Sequence, residues 1–153
     1  MSNEVNYEAA ARRHLNDGKL LLGQGRRANA GQLFGFSVEC GIKAVLIACG
    51  VARGSDGGVA EKNPLDQKKG HPLRTHMPIL SSRVFSFGNL IPDGPKATSY
   101  FAMLARPGDM HDWSVDHRYW NELSIPLASV ARWECLAVEA NAMLDQAQLD
   151  GVL

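Results

Sequence analysis

The chain has 153 residues, 16 of them basic and 16 acidic, and therefore no formal net charge with histidine neutral. That length suits one domain over residues 1–153, able to bury about two-thirds of the surface its unfolded chain exposes. The balance of charge excludes an overall field that would hold long duplex nucleic acid through many phosphates, but allows a local basic patch gripping a short strand or a nucleotide.

The polar N-terminal run MSNEVNYEAAARRHL passes directly into a helical pattern without the apolar core of a signal peptide. Tyr7, Ala10, Ala11, His14, Leu15, Gly18, Leu21 and Leu22 recur on one side of a helix predicted from Asn6 to Leu22, with Arg12, Arg13, Asn16 and Lys19 opposite. Gly23 and Gly25 end it. The basic turn Arg26 and Arg27 is short, so the next helix folds back as an antiparallel partner.

That next segment, Ala28 to Gly50, reads ANAGQLFGFSVECGIKAVLIACG, and its apolar residues point almost all the way round a 3.6-residue period. It is a central helix wrapped by others. Glu39 and Lys43 fall on one face with Gln32 and Gly35, in the favoured i, i+4 order for an intrahelical pair. A polar line on a buried helix needs partners, water or a ligand. Two readings stand: a partly buried salt bridge at a helix or subunit seam, or a functional pocket. The same two charges interrupt the apolar run, so no stretch reaches the roughly 20 residues of a membrane span. The expectation is a cytoplasmic protein with no membrane partner. Cys40, Cys49 and Cys135 are odd in number and fall on predicted helices, which argues for small buried hydrophobes rather than disulfides.

Val51 to Gly70 has glycines, a proline and mixed charge but no period, and reads as a surface loop. A shorter helix is predicted from Thr75 to Phe87, with Met77, Leu80, Val84 and Phe87 as its stripe and Pro78 in its first turn. Another runs from Pro95 to Ala105 until Pro107 and Gly108 stop it. DMHDWSVDHRYWNEL is irregular and dense in aromatic and ionisable residues. Ser124, with Pro126 in the first turn, opens a last long helix to about Gln148. The fold class is all-α, an up-and-down bundle of about five helices.

Several residues have a chemical reading. His14 lies on the apolar side of the first helix with Asp17 one turn later, placed either as a satisfied core histidine or as an acid/base group. His71, His76, His111 and His117, with Asp112 and Asp116, lack the i, i+4 spacing that sets two imidazoles on one helical face, so neither a metal site nor a cofactor is expected. In WSVDHRYW, Arg118 and Tyr119 sit between two tryptophans. Such an arginine stacks on a base, binds phosphate, or locks a loop by a cation–π contact.

Taken together, ARRHLNDGKLLL, the basic turn, GQLFGFSVECGIKAVLIACG, HPLRTHMPIL and DWSVDHRYW resemble the HEPN superfamily (higher eukaryotes and prokaryotes nucleotide-binding), in particular its compact stand-alone bacterial members. The resemblance spans most of the chain. It implies a four- or five-helix bundle, commonly a homodimer, with RNA or nucleotide contacts at the helix and dimer seam. Many relatives are metal-independent ribonucleases, toxins or antiviral effectors, often beside a nucleotidyltransferase-like partner protein. A homodimer is also suggested by apolar residues spread over more than one face of the central and last helices, which a bundle of this size has too few elements to cover.

The ribonuclease signature of that superfamily is an arginine followed four to six residues later by a histidine. Arg106 and His111 have this spacing, but Pro107 and Gly108 lie between them. Arg118 stands better in the fold, yet positions 123 to 125 are Leu, Ser and Ile. The departure moves weight to a noncatalytic binding module for RNA, nucleotide or a partner protein, its groove lined by Glu39, Lys43, His14 and Arg118. The alternative is a ribonuclease using Arg118, or Arg106 with His111. Convergence of Arg118, a histidine and Glu39 around an open cleft would favour the enzyme. Burial of those groups in mutual hydrogen bonds would favour the module.

Overall fold

Asn6 starts the first helix. In the computed structural model, which describes residues 3–153, its Oδ1 accepts from the Ala9 N–H at 2.9 Å, satisfying one of the orphan donors of α1 (Tyr7–Gly23). Gly25, at φ 76°, turns the chain into α2 (Arg27–Ala48). The two are antiparallel: Gly18 faces Phe34, and further along α2 the Ser37 hydroxyl donates back to the Ala11 carbonyl at 2.7 Å.

The last helix, α5 (Leu127–Leu149), runs in the same direction as α2. Gly31 lies against Trp133, and ten residues on Gly41 lies against Ala140. Between these parallel helices the chain must return the full length of the bundle. It first passes a small antiparallel hairpin, β1 (Lys62–Asn63) with β2 (Asp66–Gly70), and two short helices, α3 (Ile79–Ser86) and α4 (Gly94–Phe101). Residues 102 to 126 then run back as a strap of three 3-10 turns, from the α4 end to the start of α2. There the Glu122 carboxylate accepts from the Ala28 N–H at 2.9 Å, and Arg27 donates to the Glu122 carbonyl at 3.1 Å. The up-and-down course is thus completed by a strap rather than by a helix.

Burial on every face of α2 follows from this arrangement: α1, α5 and the strap surround it, and Ala30, Phe34, Val38, Val45 and Leu46 are inaccessible. By length and apolar composition alone α2 passes for a membrane span, Glu39 and Lys43 notwithstanding, but 78% of its apolar window lies inside the bundle. The single chain therefore covers the central helix that was expected to need a second copy. On α5, Leu127, Val138 and Leu149 stay exposed.

Element boundaries shift where proline chemistry decides. The third helix begins at Ile79, not Thr75, because the residue before a proline is driven out of the α region; Pro78 is its N-cap residue rather than part of the first turn. The fourth ends at Phe101, short of Ala105. Pro126 occupies the N-cap of α5, and Ser124 closes a separate 3-10 turn in which the Asn121 side chain accepts from the Leu123 N–H. The hairpin was read as irregular loop because KNPLDQKKG is almost wholly polar and exposed, leaving no alternation to reveal a strand.

Candidate functional site

Glu39 and Lys43 are one turn apart on α2 and both buried, at 5% and 6% exposure. Lys43 Nζ donates to Glu39 Oε1 at 2.7 Å and sits 5.7 Å from the Tyr7 ring centroid, so α1 supplies a π face rather than a counter-charge. The second partner of the carboxylate comes from neither α1 nor the strap. It is His76, whose Nδ1 lies 3.0 Å from Glu39 Oε2 and 3.2 Å from Oε1. A carboxylate that already accepts from an ammonium accepts again, so the hydrogen of this bond is on Nδ1 of a side chain 57% exposed.

Phe36 is the aromatic centre of this face. Its ring is 5.8 Å from His14, 6.4 Å from His76 and 5.5 Å from Trp113. Burial, helped by nearby Arg13, pushes the His14 pKa down; Asp17 and Glu39 oppose this only in part. Asp17 is exposed and makes no hydrogen bond to the His14 ring among the described residues, so the expected i, i+3 contact does not form. Burial and the Glu39 charge push the Cys40 thiol up to about 12, which makes it an inert hydrophobe rather than a nucleophile.

The strap is anchored by two tryptophans. Trp113 fills the space over Gly35, where a Cβ would overlap the indole, and its Nε1 donates to the Gly31 carbonyl at 2.9 Å. Asp112 ties strap to α5: it accepts from Ser129 at 2.6 Å, Arg132 at 2.7 Å and Trp133 Nε1 at 3.0 Å. Burial disfavours that charge, but the bonds from Ser129 and Trp133 and the Arg132 guanidinium outweigh it and hold the carboxyl below its ordinary pKa. Further along, His117 is buried between Trp133, stacked at 5.6 Å, and Trp120 at 4.4 Å.

Arg118 and Tyr119 follow on the outside, with the guanidinium 4.8 Å from the Tyr119 ring centroid. Their turn packs on α2 near Gln32, which donates to the Ser114 carbonyl at 2.7 Å. Glu39 is seven residues beyond Gln32, about 10 Å up the helix. Among the described residues no hydrogen bond or ion pair links Arg118 to Glu39. Arg106 and His111 are not brought together either: Arg106 pairs with Asp109 at 3.5 Å, while His111 Nδ1 lies 3.1 Å from the Gly108 carbonyl, both on the surface. Among the described residues no cluster of three His, Cys, Asp or Glu side chains is set to hold a metal ion. No family model matches the chain, and no curated protein or solved structure matches it.

Three residues here were not singled out as site residues from sequence: His76, Asp112 and Trp120. His76 and Asp112 were weighed only as metal ligands. Their actual signal was adjacency to a sequence-visible buried charge on α2 and to a proline-framed aromatic strap, and it becomes specific only once the fold brings those segments together.

Proposed function

We propose that this protein is a noncatalytic HEPN-like module that binds RNA, a nucleotide or a partner protein, working as a homodimer beside a nucleotidyltransferase-like partner. One observation carries the noncatalytic part. The Glu39 carboxylate is buried and saturated by Lys43 at 2.7 Å and His76 at 3.0 Å, while the arginines that would stabilise phosphate charge lie elsewhere. General acid–base chemistry needs proton donor, acceptor and charge stabiliser around one reacting atom. Here Arg106 pairs with Asp109 and Arg118 packs on Tyr119, and neither is bonded to Glu39 or His76.

A metal-independent ribonuclease is the second reading, and one feature favours it. His76 is an exposed imidazole held through Nδ1 by a buried carboxylate, an arrangement that suits an acid/base group. The two readings separate in one assay: single-stranded RNA incubated with protein and a chelator, scored for both retention and chain scission. Retention of intact strand supports the module, and scission that disappears in His76→Ala supports the enzyme.

A further inference from the structure

The rings of Trp133, His117 and Trp120 pack in series from the core to the surface, His117 stacked on Trp133 with 27° between their planes and Trp120 tilted by 53° against His117. Trp133 is 1% exposed, His117 is 4% exposed, and Trp120 is 53% exposed. An isolated surface tryptophan samples several rotamers; this one is backed by an imidazole at 4.4 Å, itself stacked on an indole pinned to Asp112 at 3.0 Å. The His117 ring covers one side of the Trp120 indole and restricts its rotamers, which lowers the ordering cost of binding on the exposed side. Beside it stand Tyr119, 75% exposed, and Arg118 over the Tyr119 ring.

Charge around the platform has a sign. Arg118 is joined by Arg27, whose Nε reaches the Glu122 carbonyl at 3.1 Å, and by its neighbour Arg26 at the start of α2. Two carboxylates oppose these three guanidiniums, Glu122, which accepts from the Ala28 N–H at 2.9 Å, and Asp116 in the 115 to 119 turn, so the balance stays positive. An exposed indole backed by His117, a second aromatic and three guanidiniums suit a planar π group that carries phosphate.

Resting on the binding-module reading, we infer that the end of the bundle formed by Arg118, Tyr119, Trp120, Arg26 and Arg27 is the ligand site, and that it takes a phosphorylated nucleoside with an unpaired base. The base stacks on the exposed face of Trp120. The guanidiniums meet the phosphate. The same chemistry is offered by a free nucleotide and by single-stranded RNA; duplex RNA hides its base faces and is a poor fit.

The test is fluorescence anisotropy of a fluorescein-labelled single-stranded 12-mer RNA at about 50 mM salt, where phosphate contacts are least screened. Full-length protein is compared with Trp120→Ala, Trp120→Phe, Arg118→Ala and Arg106→Ala, with AMP as competitor in a parallel arm. Trp120→Ala should weaken binding at least fivefold, from the roughly 1–3 kcal/mol carried by one stacked base. Trp120→Phe should restore most of it, because a phenyl ring still offers the base an aromatic face beside His117, and Arg106→Ala should bind as the wild type. Competition by AMP identifies a free nucleotide as sufficient; its absence identifies a strand. If the wild type binds and Trp120→Ala binds equally well, the site is elsewhere and only this inference falls. If neither RNA nor AMP binds, the inference falls together with the RNA and nucleotide arms of the module reading, which leaves a partner protein.

Discussion

The imidazole of His76 and the carboxylate of Glu39 meet at 3.0 Å although 37 residues of chain separate them. Lys43, also on α2, completes the triad from inside. The pair on α2 is an internal charge couple whose third member closes it off from solvent.

Removing one partner should therefore be costly. Glu39→Ala leaves a buried ammonium with only a π face nearby, and should cost about 3 kcal/mol in urea unfolding. The double change Glu39→Met with Lys43→Leu should recover most of that, since both charges leave together. Equal losses in the single and double variants would show that Lys43 is not what Glu39 compensates.

Gly35 yields a prediction whose sign is the opposite of intrinsic propensity. Glycine to alanine inside a helix ordinarily stabilises by about 1 kcal/mol. Gly35→Ala should instead destabilise by about 1–3 kcal/mol, because the new methyl overlaps the Trp113 indole, which is fixed by its bond to Gly31. Thermal melts of this variant and of Gly23→Ala, where nothing crowds the added carbon, make the comparison.

These two cases mark how much the sequence revealed. The all-round apolar pattern of α2 and the spacing of Glu39 and Lys43 are local properties, so the central helix and its charge pair were legible. That Gly35 is a socket for Trp113 was not, because complementarity between a missing side chain and an indole 78 positions away has no local signature. His76 follows the same logic: it lies off the apolar stripe at the edge of the helix predicted from Thr75, and only the fold delivers it to Glu39. The hairpin at Lys62–Gly70 was hidden by its polarity on both faces. The strap was recognisable as irregular and aromatic, whereas its role as the return path between two parallel helices was not.

Three histidines should make the fold acid-sensitive. Burial lowers the pKa values of His14, His71 and His117 below the ordinary value of about 6.5, Arg13 adding to the effect at His14. The unfolded state then binds more protons below that pH, so stability is fully present above about pH 6.5 and is lost as pH falls through it. His71 is the cleanest member, because its Nδ1 accepts from the Leu73 N–H at 3.1 Å and protonation would set two donors against each other. His71→Asn keeps an acceptor for that N–H without titrating. Its urea midpoint should fall less than that of the wild type between pH 7.5 and 5.5, and parallel declines would contradict this.

Asp112 acts in the same direction at lower pH. Its depressed pKa contributes stability above about pH 4 that is lost as pH falls toward the folded-state value. Asp112→Asn retains an acceptor but loses the charged bonds to Ser129 and Arg132, and should cost about 2 kcal/mol at pH 7. The penalty should shrink below pH 4, where the wild-type carboxyl is itself neutral. A penalty independent of pH would mean that packing, not charge, explains the loss.

Exposed Leu127, Val138 and Leu149 on α5 offer a face for a second copy. Light scattering at micromolar concentration should give twice the chain mass of 16.6 kDa. A monomer mass would remove the homodimer from the account.

The most direct test is to incubate the protein with end-labelled single-stranded RNA in a chelator and run native and denaturing gels on the same samples. Binding without chemistry predicts a retarded complex whose strand is full length after hours, in the wild type and in Arg106→Ala, with retardation reduced in Arg118→Ala. Scission by the wild type that is absent from His76→Ala or Arg118→Ala would contradict it.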